Sequence, residues 1–478
     1  MDTRVDLPDW SAVPGPQAGI GPVPPGRDVF GTVQPTGAPR FTRRPSSGAP
    51  GRQVRAKSPA RLNLRSPNLW SAGKLQSLRE QEWFWAALVL LAPAPLLRGG
   101  DPSSQAQHLE PGLTYTNYHV AAVPWSIHVV RFGRSNSEFE IHSAHAGGSA
   151  VGLSTLSSQI RLVGSRIGVS VAAVNGDFYK RDEPYAGDPR GLQIVDGEVV
   201  SAPTEGACFW IDALGQPHAT NVMSLFQVIW PNGATNSFGL NEDRPSSGVE
   251  IYTPALGSST HTLGGRELVL EREHGSAWLP LRIGKNYKAR VREIRETGDT
   301  KLAPETLVLS IGPELTGVTS KVEIGAVLTI STASSPNLRG ATMAIGGGPV
   351  LVRNGRRQKL NRPATESYEF SSMSERHPRT AVGWDGNYFF LVEVDGRQKG
   401  LSLGMTLEEL SAYLLKLGCE EAINLDGGGS ATIWCNGTVR NSPCDGQERV
   451  IANSLIVVRK SSKSQKLDAA TVRSPNSP

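Results

Sequence analysis

Cysteine is scarce in this chain: four in 478 residues, Cys208, Cys419, Cys435 and Cys444. No C-x-x-C spacing occurs, which removes the usual zinc frameworks. Cys435 and Cys444 bracket only NGTVRNSP, and in an exported protein they are expected to form a disulfide. Membrane-length apolar runs are also missing. The best candidate, WFWAALVLLAPAPLL from Trp83 to Leu97, is broken by Pro93 and Pro95 and is too short to span a bilayer. Neither triple glycine carries the Lys-Ser/Thr tail of a P-loop, and no G-x-G-x-x-G opens a helix, so nucleotide-binding readings fail. A His/Asp cluster of the two-metal type is absent as well.

Proline and positive charge are concentrated at one end. The first 82 residues hold 12 of the 34 prolines and 12 Lys/Arg against 6 Asp/Glu. They therefore carry a net six positive charges, and the formal +5 of the whole chain leaves about −1 for everything after them. The sequence pI near 9.0 describes that head rather than the folded part, so nucleic acid is not an expected partner. The head has no periodic apolar pattern and is expected to be a disordered tail, residues 1–82. Residues 83–106 read as a signal-peptide h-region followed by a small-residue cleavage site, Ser104-Gln105-Ala106. A signal peptide belongs at an N-terminus, so translation is expected to start downstream, with Met1 to about Leu75 not made. The folded chain is expected from near Leu113, and residues 461–478 as a second disordered tail. Secretion, or residence in the periplasm or cell envelope, follows, with no membrane span once the signal is removed.

From Leu113 on, short apolar runs alternate with Gly/Asn/Asp turns. Trp125 to Phe132 alternates like a strand, Leu153 to Leu162 suits a helix, and Val169 to Val174 is a buried strand. That strand ends in Asn175-Gly176-Asp177, either a simple turn or polar groups placed at a strand end, where sheets hold ligands. Residues 222–340 read as a β-rich insertion. Thr406 is an N-cap, Glu409 completes a capping box, and Leu407, Leu410, Leu414 and Leu417 make one apolar stripe, so 407–417 is a helix ending at Gly418. It leads straight into Glu421–Gly437, EAINLDGGGSATIWCNG. There Asp426 ends a buried run beside Gly427, Gly428 and Gly429, then Ser430. The pattern fits a glycine-rich hairpin, or an acid beside backbone that can approach a ligand and form an anion nest. Gly346, Gly347 and Gly348 are a second such loop.

Taken in order, VAAVNGDFY (171–179), IGGGPVLVRNG (345–355), PRTAVG (378–383), VDGR with GLSLGMTLEEL (394–410) and AINLDGGGSAT (422–432) resemble the phosphodiester glycosidase family. The likeness covers roughly Gly112 to Val458, and residues 112–460 are read as that domain. One departure is Asp177, where the animal branch has glycine and bacterial relatives often carry an acid. The animal member removes N-acetylglucosamine from its 1-phospho-linkage. The resemblance implies a mixed α/β fold of the α+β type: a mostly antiparallel sheet core with packed helices and an inserted β-rich subdomain. It further implies a hydrolase of sugar-1-phosphodiesters, acting on exported glycans or envelope polysaccharide.

The chemistry of such a substrate calls for a phosphate clamp and one or two carboxylates near the anomeric carbon. Arg379 is the expected clamp, because a guanidinium fork matches two phosphate oxygens. Asp426 and Asp177 are the expected carboxylates. Asn175, Thr380, Asn424 and Ser430 are the expected positioning groups, and Gly347, Gly348, Gly427, Gly428 and Gly429 the expected donors of backbone N–H groups. His377 is read as structural. No cofactor is required on this reading. Two other readings stay open: a non-catalytic glycan-binding or exopolysaccharide-processing protein, and a metal-dependent phosphodiesterase with Asp177 and Asp426 holding Ca²⁺ or Mg²⁺.

Overall fold

The computed structural model describes residues 105–460, apart from 136–137, 149, 164–166, 316–321 and 361–367. The expected tails 1–82 and 461–478 lie outside the described residues, as does the signal-like segment up to Ser104. Gln105 already begins a strand, Gln105–Glu110, paired antiparallel with Leu113–Val120, so ordered backbone starts before the Leu113 expected.

The described chain builds four sheets. One has eight strands in the order Gln105–Glu110, Leu113–Val120, Trp125–Gly133, Tyr388–Val394, Arg379–Trp384, Glu421–Asn424, Val350–Arg353 and Arg356–Arg357. A second eight-stranded sheet draws every strand from between Met223 and Ser335. A five-stranded sheet centres on Met343–Gly347, flanked by Gln193–Val195 and Ala207–Ile211. Another centres on Gly168–Asn175, flanked by Ile433–Cys435 and Asn453–Lys460.

The α+β expectation with packed helices is overturned. Strands make up 45% of the structure and helices 7%, with three helices among the described residues. The misreading has a physical cause. A run buried on both faces, such as Val171–Val174, suggests a sheet covered by helices. Here a short helix covers one face, with Leu156 and Ile160 against Ala173, and other sheets supply the rest of the cover: Phe209 of one sheet packs on Trp384 of another at 5.3 Å, in the same core as Val171 and Val174. Burying each such ring contributes about 1.5–3 kcal/mol.

Two helices follow their sequence signals. Leu156–Leu162 is capped by Thr155, and Leu407–Lys416 carries the full Thr406/Glu409 capping box with Gly418 at φ 93° beyond it. Leu407, Leu410 and Leu414 are buried, and the Ser411 hydroxyl donates to the Leu351 carbonyl at 2.9 Å, fixing the helix to the sheet that carries the site. The Cys435–Cys444 disulfide is not made. All four cysteines are free thiols; Cys435 is sealed in a strand, while Cys444 is partly exposed with its thiol on Asp445.

Candidate active site

Both triple-glycine loops are sheet-to-sheet crossings rather than hairpins. Gly346–Gly348 carries the chain from strand Met343–Gly347 into strand Val350–Arg353 of a different sheet. Asp426–Ser430 carries it from Glu421–Asn424 through a 3₁₀ turn, Gly428–Ser430, into Ile433–Cys435 of a third. The end of Gly168–Asn175 arrives at the same place, because it pairs with Ile433–Cys435. Three sheets thus converge where Asp177 and Asp426 sit.

Asp177 is 3% exposed, with both carboxylate oxygens engaged: Oδ1 accepts from Phe178 N at 2.8 Å and Oδ2 from Gly191 N at 2.7 Å. Its own N–H donates to Asn453 Oδ1 at 2.7 Å. Glycine is required around it, since a Cβ at Gly346 would lie 2.8 Å from Asp177 Cγ and 2.9 Å from Gly191 Cα. Burial pushes the Asp177 carboxyl up to about 7, against its two backbone donors, and the neighbouring Asp426 charge adds to the rise.

Asp426 lies partly open to solvent. Its main chain is pinned: N–H donates to the Gly176 carbonyl at 2.9 Å, and its carbonyl accepts from Asn175 Nδ2 at 2.7 Å. Its Oδ1 accepts from Gly427 N at 2.8 Å. Burial raises its carboxyl to about 6, opposed by the Ser430 hydroxyl, the Gly427 N–H and the charges of Arg449 and Arg181. The Ser430 hydroxyl is buried and lacks a hydrogen-bond partner of ordinary geometry, and Asn424 Oδ1 likewise.

Most of the expected positioning groups brace this corner. Asn175 is fully buried and its Oδ1 accepts from Thr380 Oγ1 at 2.7 Å and Thr432 N at 3.1 Å. Asn424 Nδ2 donates to the Gly348 carbonyl at 2.8 Å. Gly347 leaves room for the Asn424 carbonyl, which a Cβ would approach to 2.6 Å. The N–H groups of Gly348, Gly427 and Gly428 are used inside the fold, on the Asn424 carbonyl, Asp426 Oδ1 and the Pro378 carbonyl. These glycines therefore shape the loop and do not present those N–H groups to an anion. Gly429 leaves room for the guanidinium of Arg449.

Arg379 does not present its fork outward as a clamp would. It is 4% exposed; Nε donates to the Met405 carbonyl at 2.7 Å, and Nη2 to the carbonyls of Ser372 and Glu375 at 2.6 and 2.9 Å. Those last two carbonyls close the C-terminal end of helix Tyr368–Ser374, where a cation is favoured. His377 sits beside it, its Nδ1 3.2 Å from Arg397 Nη2, its basicity lowered by burial and by Arg379 and Arg397.

Other arginines surround the Asp426 loop. Arg397 is exposed, with both terminal nitrogens 3.3 Å from where a Gly428 Cβ would stand. Arg449, paired with Asp445 at 2.6 Å, lies directly against Gly429. Arg181 is exposed and close enough to stabilise the Asp426 charge. Sequence reasoning passed over all three. Arg397 stands inside the VDGR segment and Arg181 four residues after Asp177, so both had a local signal; Arg449 and the bracing Asn453 had none. Exposed Arg397 and Arg181, with the half-buried, Asp445-paired Arg449, put positive charge beside the carboxylates, an arrangement that can bind an anionic ester.

Residues 289–458 match the sequence model of the phosphodiester glycosidase family. Over 68 residues the chain is 47% identical to bovine N-acetylglucosamine-1-phosphodiester alpha-N-acetylglucosaminidase, covering 14% of this chain and 12% of that one. Over 103 residues it is 39% identical to the human protein of the same name, covering 20% of each. The chain thus spans only a small part of these curated relatives. A hypothetical protein from Synechocystis shares the fold, with TM-score 0.60 at 20% identity over 75% of this chain and 64% of that one.

Proposed function

Starting from a chain whose residues 289–458 belong to the phosphodiester glycosidase family, we propose that it hydrolyses sugar-1-phosphodiesters of the N-acetylglucosamine-1-phospho type. The observation that carries this reading is the pairing of one partly exposed carboxylate, Asp426, with exposed Arg397 and half-buried Arg449 against the same glycine loop. Arg397 and Arg449 hold the bridging phosphate and Arg181 adds to the local positive field. Asp426 lies beneath the anomeric carbon and, ionised above about pH 6, stabilises the oxocarbenium character that develops as the bond to phosphate lengthens. A phosphate monoester is a good leaving group, so the site needs little general-acid help. Asp177 is closed in by glycines and backbone donors; it sets the charge state of the pair and does not touch substrate. Arg379 acts through the loop it holds. The Trp83–Leu97 segment supports export, with an envelope or secreted glycan as substrate.

The test is turnover of UDP-N-acetylglucosamine and an aryl phosphodiester of the same sugar by the full chain in ¹⁸O-water. Label on the sugar, with turnover abolished by Asp426→Asn, is the expected result. Label on phosphate removes Asp426 from its assigned position, and binding without turnover makes the protein a glycan-binding module.

A further inference from the structure

Strand Trp125–Gly133 runs antiparallel to Tyr388–Val394, and their register sets His128 directly opposite Glu393. Two residues on, the chain leaves the strand at Asp395, whose N–H donates to the Ser126 carbonyl at 3.0 Å. This brings His128 Nε2 to 3.0 Å from Asp395 Oδ2, and one ligand-type atom from each of His128, Glu393 and Asp395 lies within 4.8 Å of the others. All three residues are at most 2% exposed. Two carboxylates buried around one imidazole are costly unless a proton or a metal cation offsets their charge. Glu393 Oε1 accepts from Asn441 Nδ2 at 3.1 Å, but Oε2 is buried in the same cluster with no partner. The other ring nitrogen, His128 Nδ1, is 2.8 Å from the Tyr115 hydroxyl. A metal-bound histidine characteristically has such an outer partner, which orients the ring and turns Nε2 toward the ion's position beside Asp395. Asp395 is oriented in the same way, its Oδ1 accepting from Ser442 N at 2.8 Å.

We infer that His128, Glu393 and Asp395 form a binding site for one divalent transition-metal ion of the zinc or manganese class. The donor set selects the class. One imidazole with two carboxylates suits these ions, whereas Ca²⁺ asks for six to eight oxygens and Mg²⁺ for near-octahedral oxygen. Three protein ligands leave a fourth position, and the buried Ser126 hydroxyl, 3.1 Å from His128 Nε2, is a further polar group beside the three. Tyr115, the outer partner of His128, also lines a surface cleft of about 520 Å³ with Asn117, His119 and Arg440. The ion's role is to brace the active corner. Glu393 pairs in register with Thr380, whose hydroxyl holds Asn175, and Asn441 links Glu393 to the Ala431 carbonyl just past the Asp426 loop.

The test strips the full chain with EDTA and adds back Zn²⁺, Mn²⁺ or Ca²⁺ singly, reading bound metal by elemental analysis, affinity by calorimetry and stability by thermal melt. One equivalent of Zn²⁺ or Mn²⁺ with a raised Tm is expected, and Glu393→Gln should weaken that binding at least a hundredfold. A folding failure of the variant does not block the test. Anomalous scattering from crystals of the unaltered protein grown with Zn²⁺ must place the ion between the three side chains. No stoichiometric uptake of either transition ion, preference for Ca²⁺, undiminished uptake by a folded Glu393→Gln protein, or an ion sited elsewhere would each overturn the inference.

Discussion

Replacing Asp177 with asparagine probes the most unusual carboxyl group at the site. Its folded pKa of about 7 stands roughly three units above its ordinary value of 3.8. At about 1.4 kcal/mol per unit, ionising it in the folded state costs about 4 kcal/mol more than in the unfolded chain. Because the folded pKa is the raised one, this stability is fully present below about pH 3.8. It is lost as pH climbs, since the unfolded chain gives up the proton first, and the loss is complete above about pH 7. Asparagine has no such titration. Its amide nitrogen, however, cannot accept, so either Phe178 N–H or Gly191 N–H is left unpaired at a cost of about 1–3 kcal/mol. The variant should therefore be less stable than the parent at pH 4 and more stable at pH 8, the two curves crossing between about pH 4.5 and 6. Urea denaturation followed by tryptophan fluorescence across that range measures the difference. A stability gap that stays constant from pH 4 to pH 8 would refute the claim that Asp177 folds with a raised pKa.

Asp426→Asn should lower kcat by about two to three decades while KM moves little, the scale of removing one electrostatic partner of a transition state. In the parent, kcat/KM should rise through about pH 6 as Asp426 ionises, and a flat profile from pH 4.5 to 7.5 counts against its role. Arg397→Gln should raise KM roughly tenfold or more without shifting Tm, because the side chain is exposed and its loss removes a charged contact worth about 1.5–3 kcal/mol; an unchanged KM would take it out of the anion site. Arg379→Lys should lower Tm, since lysine cannot reach the Met405, Ser372 and Glu375 carbonyls together, and a melt matching the parent contradicts that bracing role. Gly346→Ala should disable the site by driving a methyl group into Asp177, and full activity in that variant would show that the loop yields.

Much of this was legible along the chain because its signals are local. Thr406 and Glu409 make a capping box from neighbours three apart, so the helix at Leu407–Lys416 could be read directly. Asp426 beside three glycines, and Asp177 after a buried strand, were likewise visible as acids placed at strand ends, and the structure brings them together. Arg379 shows the limit of such reading. Its residue type suits a phosphate clamp, but the choice between ligand and carbonyls was made by helix Tyr368–Ser374 and the Met405 turn packing around it.

The sequence by itself determined the short strands, the two capped helices, the acids and the glycine loops beside them, since propensity, capping and glycine geometry act over a few residues. Only the tertiary structure decided what those pieces meet. That other sheets supply most of the cover over the buried strands depends on contacts such as Phe209 against Trp384, 175 positions apart. That the glycine loops cross between sheets, with Arg449 laid on Gly429 and His128 opposite Glu393, depends on strand pairings between distant segments. Such pairings are chosen by the burial of whole faces, a property of the assembled sheets that no local stretch contains.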